Sequence, residues 1–125
     1  MIERPFAGDA GGSGGFHAVT AVDASPSGLR ETRRAVVQAK EGDRDALRFL
    51  YTRYSNNIYG YVRSIVQDHE EAEDITQQVF VKLMTRLTRY NERDVPFFAW
   101  LLRLAHNVAV DHLRSRRLSP TDNVP

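Results

Sequence analysis

The 125-residue sequence contains no cysteine, which excludes disulfide bonds, thiolate metal sites and thiol nucleophiles. It also lacks any apolar run close to the roughly 18 residues of a membrane-spanning helix, so no membrane insertion is expected. The N-terminus has no basic segment followed by an apolar core, which is the pattern of a secretion signal. We therefore expect a cytoplasmic location, and the length leaves room for one domain with a modest core.

The motifs of enzymes and metal sites are missing as well. The glycines at positions 11–15 precede no strand–helix unit that could cradle a phosphate, and no serine lies in a nucleophile elbow. His106 and His112 are six residues apart, whereas two ligands on one helix face stand one turn apart. The carboxylates between Asp68 and Asp74 lack the glycine and spacing of a calcium loop. We expect no catalytic residue, no metal ion and no cofactor, so the protein is not predicted to be an enzyme.

Net charge is only +1, but the charges are unevenly distributed along the chain. Five carboxylates cluster between Asp68 and Asp74 without a lysine or arginine among them. From Lys82 to Arg117 there are eight basic residues and three acidic ones. A molecule with an acidic patch and a basic half can face two different partners, although such charges often only solvate helices.

The hydrophobic periodicity predicts an all-α protein, a compact bundle of about four helices. Residues 1–28 form a Gly-rich extension that we expect to be flexible, because ordering glycine costs much entropy. A short helix is predicted over 29–40. Asp43 is placed to cap a second helix that continues to about Val66, with apolar residues at three- and four-residue steps. Residues 119–125 are interpreted as a linker or tail.

The third predicted helix opens at Asp68, and Glu71 three residues later gives a capping-box pattern. Its inner face is predicted to be apolar; the residues assigned to that face are Ala72, Ile75, Val79, Phe80, Leu83, Met84 and Leu87. Its outer side is predicted to be mostly polar; the residues assigned to that side are Asp74, Gln77, Gln78, Val81 and Lys82. The exposed amides can hydrogen-bond a partner without a large desolvation penalty.

The fourth predicted helix spans residues 96–117, with Pro96 suited to its first position. One arc of its helical wheel is apolar, and the opposite arc carries Trp100, Arg103, Asn107, Asp111 and Arg114. Arginine and amide groups interleaved with an aromatic ring suit a nucleic-acid surface. The same pattern also fits an ordinary amphipathic helix with a solvated face and a half-buried Trp.

Two blocks of sequence carry a resemblance to a known family. They are EAEDITQQVF at 71–80, and AWLLRLAHN at 99–107 followed by DHLR at 111–114. In this order and spacing they resemble region 2 of bacterial RNA polymerase sigma factors of the extracytoplasmic-function (ECF) type. The resemblance runs from about residue 29 to residue 117 and implies a compact helical bundle.

The resemblance implies two partners and a division of the surface between them. The outer residues of the third helix would dock on the β′ coiled coil of core RNA polymerase; they are Asp74, Gln77, Gln78, Val81 and Lys82. The fourth helix and the loop before it would read and open the −10 promoter element. In the loop, Tyr90, Asn91 and Arg93 are candidates to capture an extruded base of the non-template strand. Arg103 and Arg114 would meet phosphates, and Asn107 beside Trp100 would reach a base edge.

An anti-sigma factor is a further partner that the family implies. The sequence departs from the family pattern in three respects. It contains no second helix-turn-helix domain for the −35 element, and Gln78 and Met84 stand where the family often has Glu and Trp.

A different class of function stays open, namely a helical protein-interaction module without a DNA function. A third reading is a small double-stranded DNA repressor, although no helix-turn-helix turn is recognisable.

Overall fold

The computed structural model describes residues 23–118, with side chains through residue 116. This part of the chain forms four α-helices and contains no β-strand, which confirms the all-α prediction. The helices are α1 (Pro26–Lys40), α2 (Arg44–Val66), α3 (His69–Arg86) and α4 (Phe97–Leu118), and a 3-10 turn (Leu87–Arg89) follows α3. Most of the predicted N-terminal extension and the predicted tail lie outside the described residues. Helix α1 begins three residues before the predicted start, inside the stretch assigned to the extension.

Short polar side chains start three of the helices, because the first amides of a helix have no partner within it. Asp43 accepts hydrogen bonds from the amides of Asp45 (2.8 Å) and Ala46 (3.2 Å), as predicted. Asp68 accepts from the Glu71 amide (2.9 Å), so one half of the predicted capping box is confirmed. Ser25, which the sequence did not single out, caps α1.

Helix α2 is the central element, since it packs against α1, α3 and α4. Four of its residues at four-residue steps are completely buried: Leu50, Tyr54, Ile58 and Val62. This repeat keeps one stripe of the helix on the core along its whole length. Helices α3 and α4 also pack against each other, so the α2 stripe and the apolar faces of its three neighbours form one core.

A buried polar network ties α1 to α2. The Tyr54 hydroxyl donates to the carboxylate of Asp23 (2.8 Å) and lies 2.9 Å from the Thr32 hydroxyl. The Tyr54 ring stacks on Phe98 of α4 at 5.3 Å. Burial raises the pKa of Tyr54, because the ionised phenol would be poorly solvated there. The residues just before α1 are therefore held against the central helix.

One prediction about the core faces was wrong. Met84 was assigned to the inner face of α3, but it is 60% exposed. Its position on the wheel is about 100° from the centre of the buried arc, beyond the edge that Phe80 occupies. Tyr51 belongs to the apolar repeat of α2 in the sequence, yet it is 42% exposed and stands edge-on to Phe80, with ring centroids 4.9 Å apart.

Candidate functional site

The polar row predicted on the fourth helix is present on the surface of α4. Arg103, Asn107 and Arg114 are exposed and recur at steps of four and seven residues, which places them on one side of the helix. With Trp100 at its start, the row extends about 21 Å along the helix axis. Arg114 lies 3.7 Å from Asp111, and both side chains are largely exposed. Such an exposed ion pair is weak, so Arg114 can exchange Asp111 for another anion.

Trp100 lies at the junction between this row and the core. The sequence placed it off the apolar face, but its ring is half-buried and packs on Tyr90 (5.3 Å between centroids) and Phe97 (6.0 Å). Trp100 therefore supports the surface as well as forming part of it. Its removal would disturb the core, which makes it a poor residue for testing a surface function.

Tyr90 was predicted to contact a base, and the structure corrects this. Its side chain is only 4% exposed, and its hydroxyl donates to the carbonyl of Val95 (2.7 Å). Lys40 donates to the carbonyl of Tyr90 (2.5 Å) and lies 5.6 Å from the centre of its ring. Burial, and then the nearby negative charge of Glu92, raise the pKa of Tyr90 to about 12. Tyr90 thus closes the loop from within, and almost none of its surface is accessible to a base.

Asn91 and Arg93 lie on the exposed side of the same loop. The Asn91 side-chain oxygen accepts from the Arg93 amide (2.9 Å), and its carbonyl accepts from the Asp94 amide (3.0 Å). This is an Asx-type turn, in which a side chain takes over a hydrogen bond of the backbone. The side-chain NH₂ of Asn91 remains as a donor. Arg93 has no ion pair among the described residues.

A groove of about 200 Å³ separates this loop from α1. Arg33 and Glu92 face each other at 3.8 Å, and both of these side chains are 61% exposed. The groove is lined from both sides by Leu29, Thr32, Arg33, Val36, Tyr90, Glu92, Arg93, Asp94, Val95, Pro96 and Phe97. The contribution of α1 was missed by the sequence analysis, because nothing in a linear pattern pairs residue 33 with residue 92. The only available signal was that Leu29, Arg33 and Val36 share one side of a helix.

The outer side of α3 forms a second exposed surface. Asp74, Gln77 and Gln78 are exposed, Val81 is 62% exposed, and Lys82 is partly buried. The structure adds Met84, which was predicted on the inner face, and Tyr51 from α2. Apolar groups as exposed as these, surrounded by amides and a carboxylate, are typical of a protein-binding surface.

A third cluster joins the start of α3 to the end of α4. Arg116 donates to the Glu71 carboxylate, and the other Glu71 oxygen lies 3.8 Å from His112 Nε2. His112 is partly buried and faces this carboxylate. Within residues 23–118 no three acidic or imidazole side chains are grouped so that they could hold a metal ion. No helix in the same range is long and apolar enough to cross a membrane.

Comparison with known proteins identifies the family. The family model for sigma-70 region 2 matches residues 50–118, more than half of the chain. The chain belongs to the sigma-70 region 2 family. The match begins in α2 and includes the outer side of α3, the loop and the α4 row, whereas α1 lies outside it.

The relatives of this region 2 domain are RNA polymerase sigma factors, several of them of the ECF type. It is 34% identical over 82 residues to the ECF RNA polymerase sigma factor BldN of Streptomyces coelicolor, covering 66% of this chain and 31% of BldN. It is 32% identical over 93 residues to the RNA polymerase sigma-H factor of Pseudomonas aeruginosa, covering 74% of this chain and 48% of that protein. Identity to the ECF sigma factor SigW of Bacillus subtilis is 28% over 85 residues, or 68% and 45% of the two chains. The region 2 domain thus spans about a third to a half of the length of these curated relatives.

Proposed function

We propose that this region 2 domain is a transcription initiation module that binds core RNA polymerase and recognises and melts the −10 promoter element. The observation that carries the proposal is the position of Trp100. It packs on Tyr90 and Phe97, which line the groove, and it also begins the polar row of α4. A site for one extruded base and a surface for the adjacent DNA are therefore continuous.

The outer side of α3 is the proposed polymerase-binding surface. Asp74, Gln77, Gln78, Val81 and Lys82 lie on the side of α3 away from its buried stripe. Exposed Val81 offers apolar area, and the amides around it offer hydrogen bonds that need little desolvation. A coiled coil such as that of the β′ subunit has the matching shape, because it presents a long ridge of polar and apolar side chains.

The groove between α1 and the loop is the proposed site of base capture. Its volume of about 200 Å³ is below the 300–1,000 Å³ of pockets for drug-sized ligands, which suits a single flat ring. Opening DNA costs about 1.4 kcal/mol per base-pair step in lost stacking, and holding an extruded base can offset that cost. The Asn91 side-chain NH₂ and the Arg93 guanidinium are the exposed donors at this loop.

The α4 row is the proposed contact with DNA next to the extruded base. Its length of about 21 Å corresponds to about six base-pair steps at 3.4 Å each. Arg103 and Arg114 are assigned to phosphates, which position the protein without reading sequence. Asn107 lies between them with its amide exposed, and an amide can pair with the edge of adenine.

The remaining assignments follow from this role. The domain performs no covalent step, so it needs no catalytic residue and no cofactor. It acts where the polymerase acts, in the cytoplasm. An anti-sigma factor is a proposed third partner, since a protein covering the outer side of α3 would compete directly with polymerase.

A selection experiment with core polymerase tests base capture. Single-stranded oligonucleotides randomised across the −10 positions are incubated with the chain and core enzyme, and the bound pool is sequenced. We expect strong enrichment of one base at a single position, with weaker preferences beside it, and affinity for the selected strand above that for its complement. A bound pool with all four bases equally represented at every position would leave only charge attraction and would contradict base capture.

A further inference from the structure

We propose that the exposed side of α1 binds the phosphate backbone of the captured strand, through Arg30 and Arg34. This inference rests on the proposed function, because it assumes a single strand whose base enters the groove. It adds an element outside the family match, which begins at Leu50 in α2. The DNA-binding surface would then continue across the groove from α4 and the loop to α1.

Helix α1 forms one wall of the groove. Leu29, Thr32, Arg33 and Val36 line that wall, and the loop forms the other. On the helical wheel, Arg30 and Arg34 lie about 110° and 150° from the centre of this wall, on the exposed side of α1 beyond Arg33. A strand that leaves the groove past Arg33 would run across this exposed side of α1, with its phosphates near Arg30 and Arg34.

Most of the charged groups of α1 already have partners. Glu31 is the only acidic residue of the helix, and its carboxylate accepts from Arg53 of α2 at 2.7 Å. Arg33 faces Glu92 across the groove at 3.8 Å. Lys40 donates to the Tyr90 carbonyl at 2.5 Å. These contacts hold α1 to the central helix and to the loop.

Arg30 and Arg34 are the two cations of α1 that remain. Both are exposed, and neither has a carboxylate within ion-pair distance among the described residues. They are four residues apart, so their backbone positions are about 6 Å apart along one side of the helix. Phosphates of one strand repeat every 3.4 Å along a B-form axis and farther apart when the strand is stretched. Two arginines at this spacing can therefore contact neighbouring phosphates of a single strand.

The salt dependence of binding measures such contacts. Each phosphate contact to a single strand contributes about 0.7 to the slope of log K against log salt concentration. We expect the double variant Arg30→Gln/Arg34→Gln to reduce the slope by about 1.4. The loss of affinity should be the same for the selected oligonucleotide and a scrambled one, since phosphate contacts carry no sequence information. Arg30→Lys/Arg34→Lys should retain the slope, because each lysine still places one cation at each phosphate.

The control is Arg44→Gln/Arg48→Gln, which removes two exposed arginines with the same spacing from the first two turns of α2, where Arg48 lies 3.1 Å from Asp45. An unchanged slope for this control, together with the reduced slope for the α1 pair, supports the proposal. An equal reduction for both pairs, or none for the α1 pair, would overturn it. Weaker capture of core polymerase by the α1 variant at an unchanged slope would assign the two arginines to a protein surface and would also overturn it. Equal binding of selected and scrambled strands by the wild type refutes base capture, while the difference in slopes still decides the phosphate contacts.

Discussion

Replacing Tyr90 with phenylalanine should change the shape of the base-capturing loop while lowering the stability of the domain only slightly. The substitution removes one hydroxyl and leaves the ring, which packs edge-on to Phe97 with centroids 5.7 Å apart and contacts Trp100. Only the hydrogen bond to the Val95 carbonyl is lost. The loop would then be free to open between residues 90 and 95, where the groove lies.

The stability change should be small. A hydrogen bond between neutral groups contributes a net 0.5–1.5 kcal/mol or so, and Val95 is only partly buried, so water can replace the lost donor. We expect a loss of about 1 kcal/mol, or about 4–8 °C in Tm for a domain of this size. Tyr90→Ala would also remove the ring and leave a cavity, and should cost about 3–5 kcal/mol.

Two measurements test the expected effects of Tyr90→Phe on stability and on base preference. Urea unfolding gives the stability, and the emission of Trp100, the only tryptophan, reports on the packing beside residue 90. The selection on randomised oligonucleotides gives the base preference, which we expect to be flattened while capture of core polymerase is unchanged. Tyr59→Phe is the control, since it deletes a hydroxyl that bonds His69 (2.5 Å) on an exposed surface away from the loop.

Two results would refute this reasoning. A base preference identical to that of the wild type would show that the Tyr90–Val95 hydrogen bond does not shape the capture site. A stability loss as large as that of Tyr90→Ala would show that the hydroxyl supports the core rather than the loop.

Three further predictions concern stability. Glu71→Gln weakens the link to Arg116 between α3 and α4. It should lower the free energy of unfolding by about 1 kcal/mol in urea titrations, less than the roughly 1.5–3 kcal/mol of a hydrogen bond to a charged group, because Arg116 is half exposed. An unchanged free energy of unfolding would contradict this prediction. Gly42 has a φ of 94°, which is unfavourable for residues with a Cβ atom. Gly42→Ala should therefore lower the free energy of unfolding by about 1–2 kcal/mol, although the space around the added methyl group is open. An unchanged Tm would contradict this prediction. The pKa of Tyr90 is about 12, above its ordinary value near 10, so its contribution to stability should be complete below about pH 10 and be lost as the pH rises to about 12. Tyr90→Phe should lose less stability over that range than the wild type, and equal losses would contradict the assignment.

The features that the sequence predicted well are local ones. Asp43 and Asp68 cap helices through amides two or three residues away, so a short window of sequence contains both partners. The α2 stripe and the exposed outer side of α3 follow from periodicity in the same way. The α4 row also follows from periodicity, apart from the degree to which Trp100 is buried.

The features that the sequence did not predict depend on distant pairs. The sequence predicted Tyr90 as an aromatic residue of the loop that is accessible to DNA. In the structure Tyr90 is buried, because Lys40, fifty residues earlier, bonds its carbonyl and Phe97 packs against its ring. The groove needs α1 to lie against the loop, and no linear pattern specifies that contact. The assignment of Met84 to the inner face was wrong for a different reason. The buried arc of α3 ends at Phe80, and the helical wheel alone does not show where a buried arc ends.

We propose that two surfaces of this domain serve two partners, polymerase on α3 and promoter DNA on α4. The most direct measurement takes two double variants, Asp74→Ala/Gln77→Ala and Arg103→Ala/Asn107→Ala, all at exposed positions where stability should change by less than about 0.5 kcal/mol. Capture of core polymerase and capture of the selected single strand by the assembled complex are measured side by side. We expect the first variant to lose polymerase binding, whereas the second retains polymerase binding and loses DNA binding. Loss of polymerase binding by the second variant with normal DNA capture at saturation, or no defect in either variant, would show that the two surfaces do not serve these two partners.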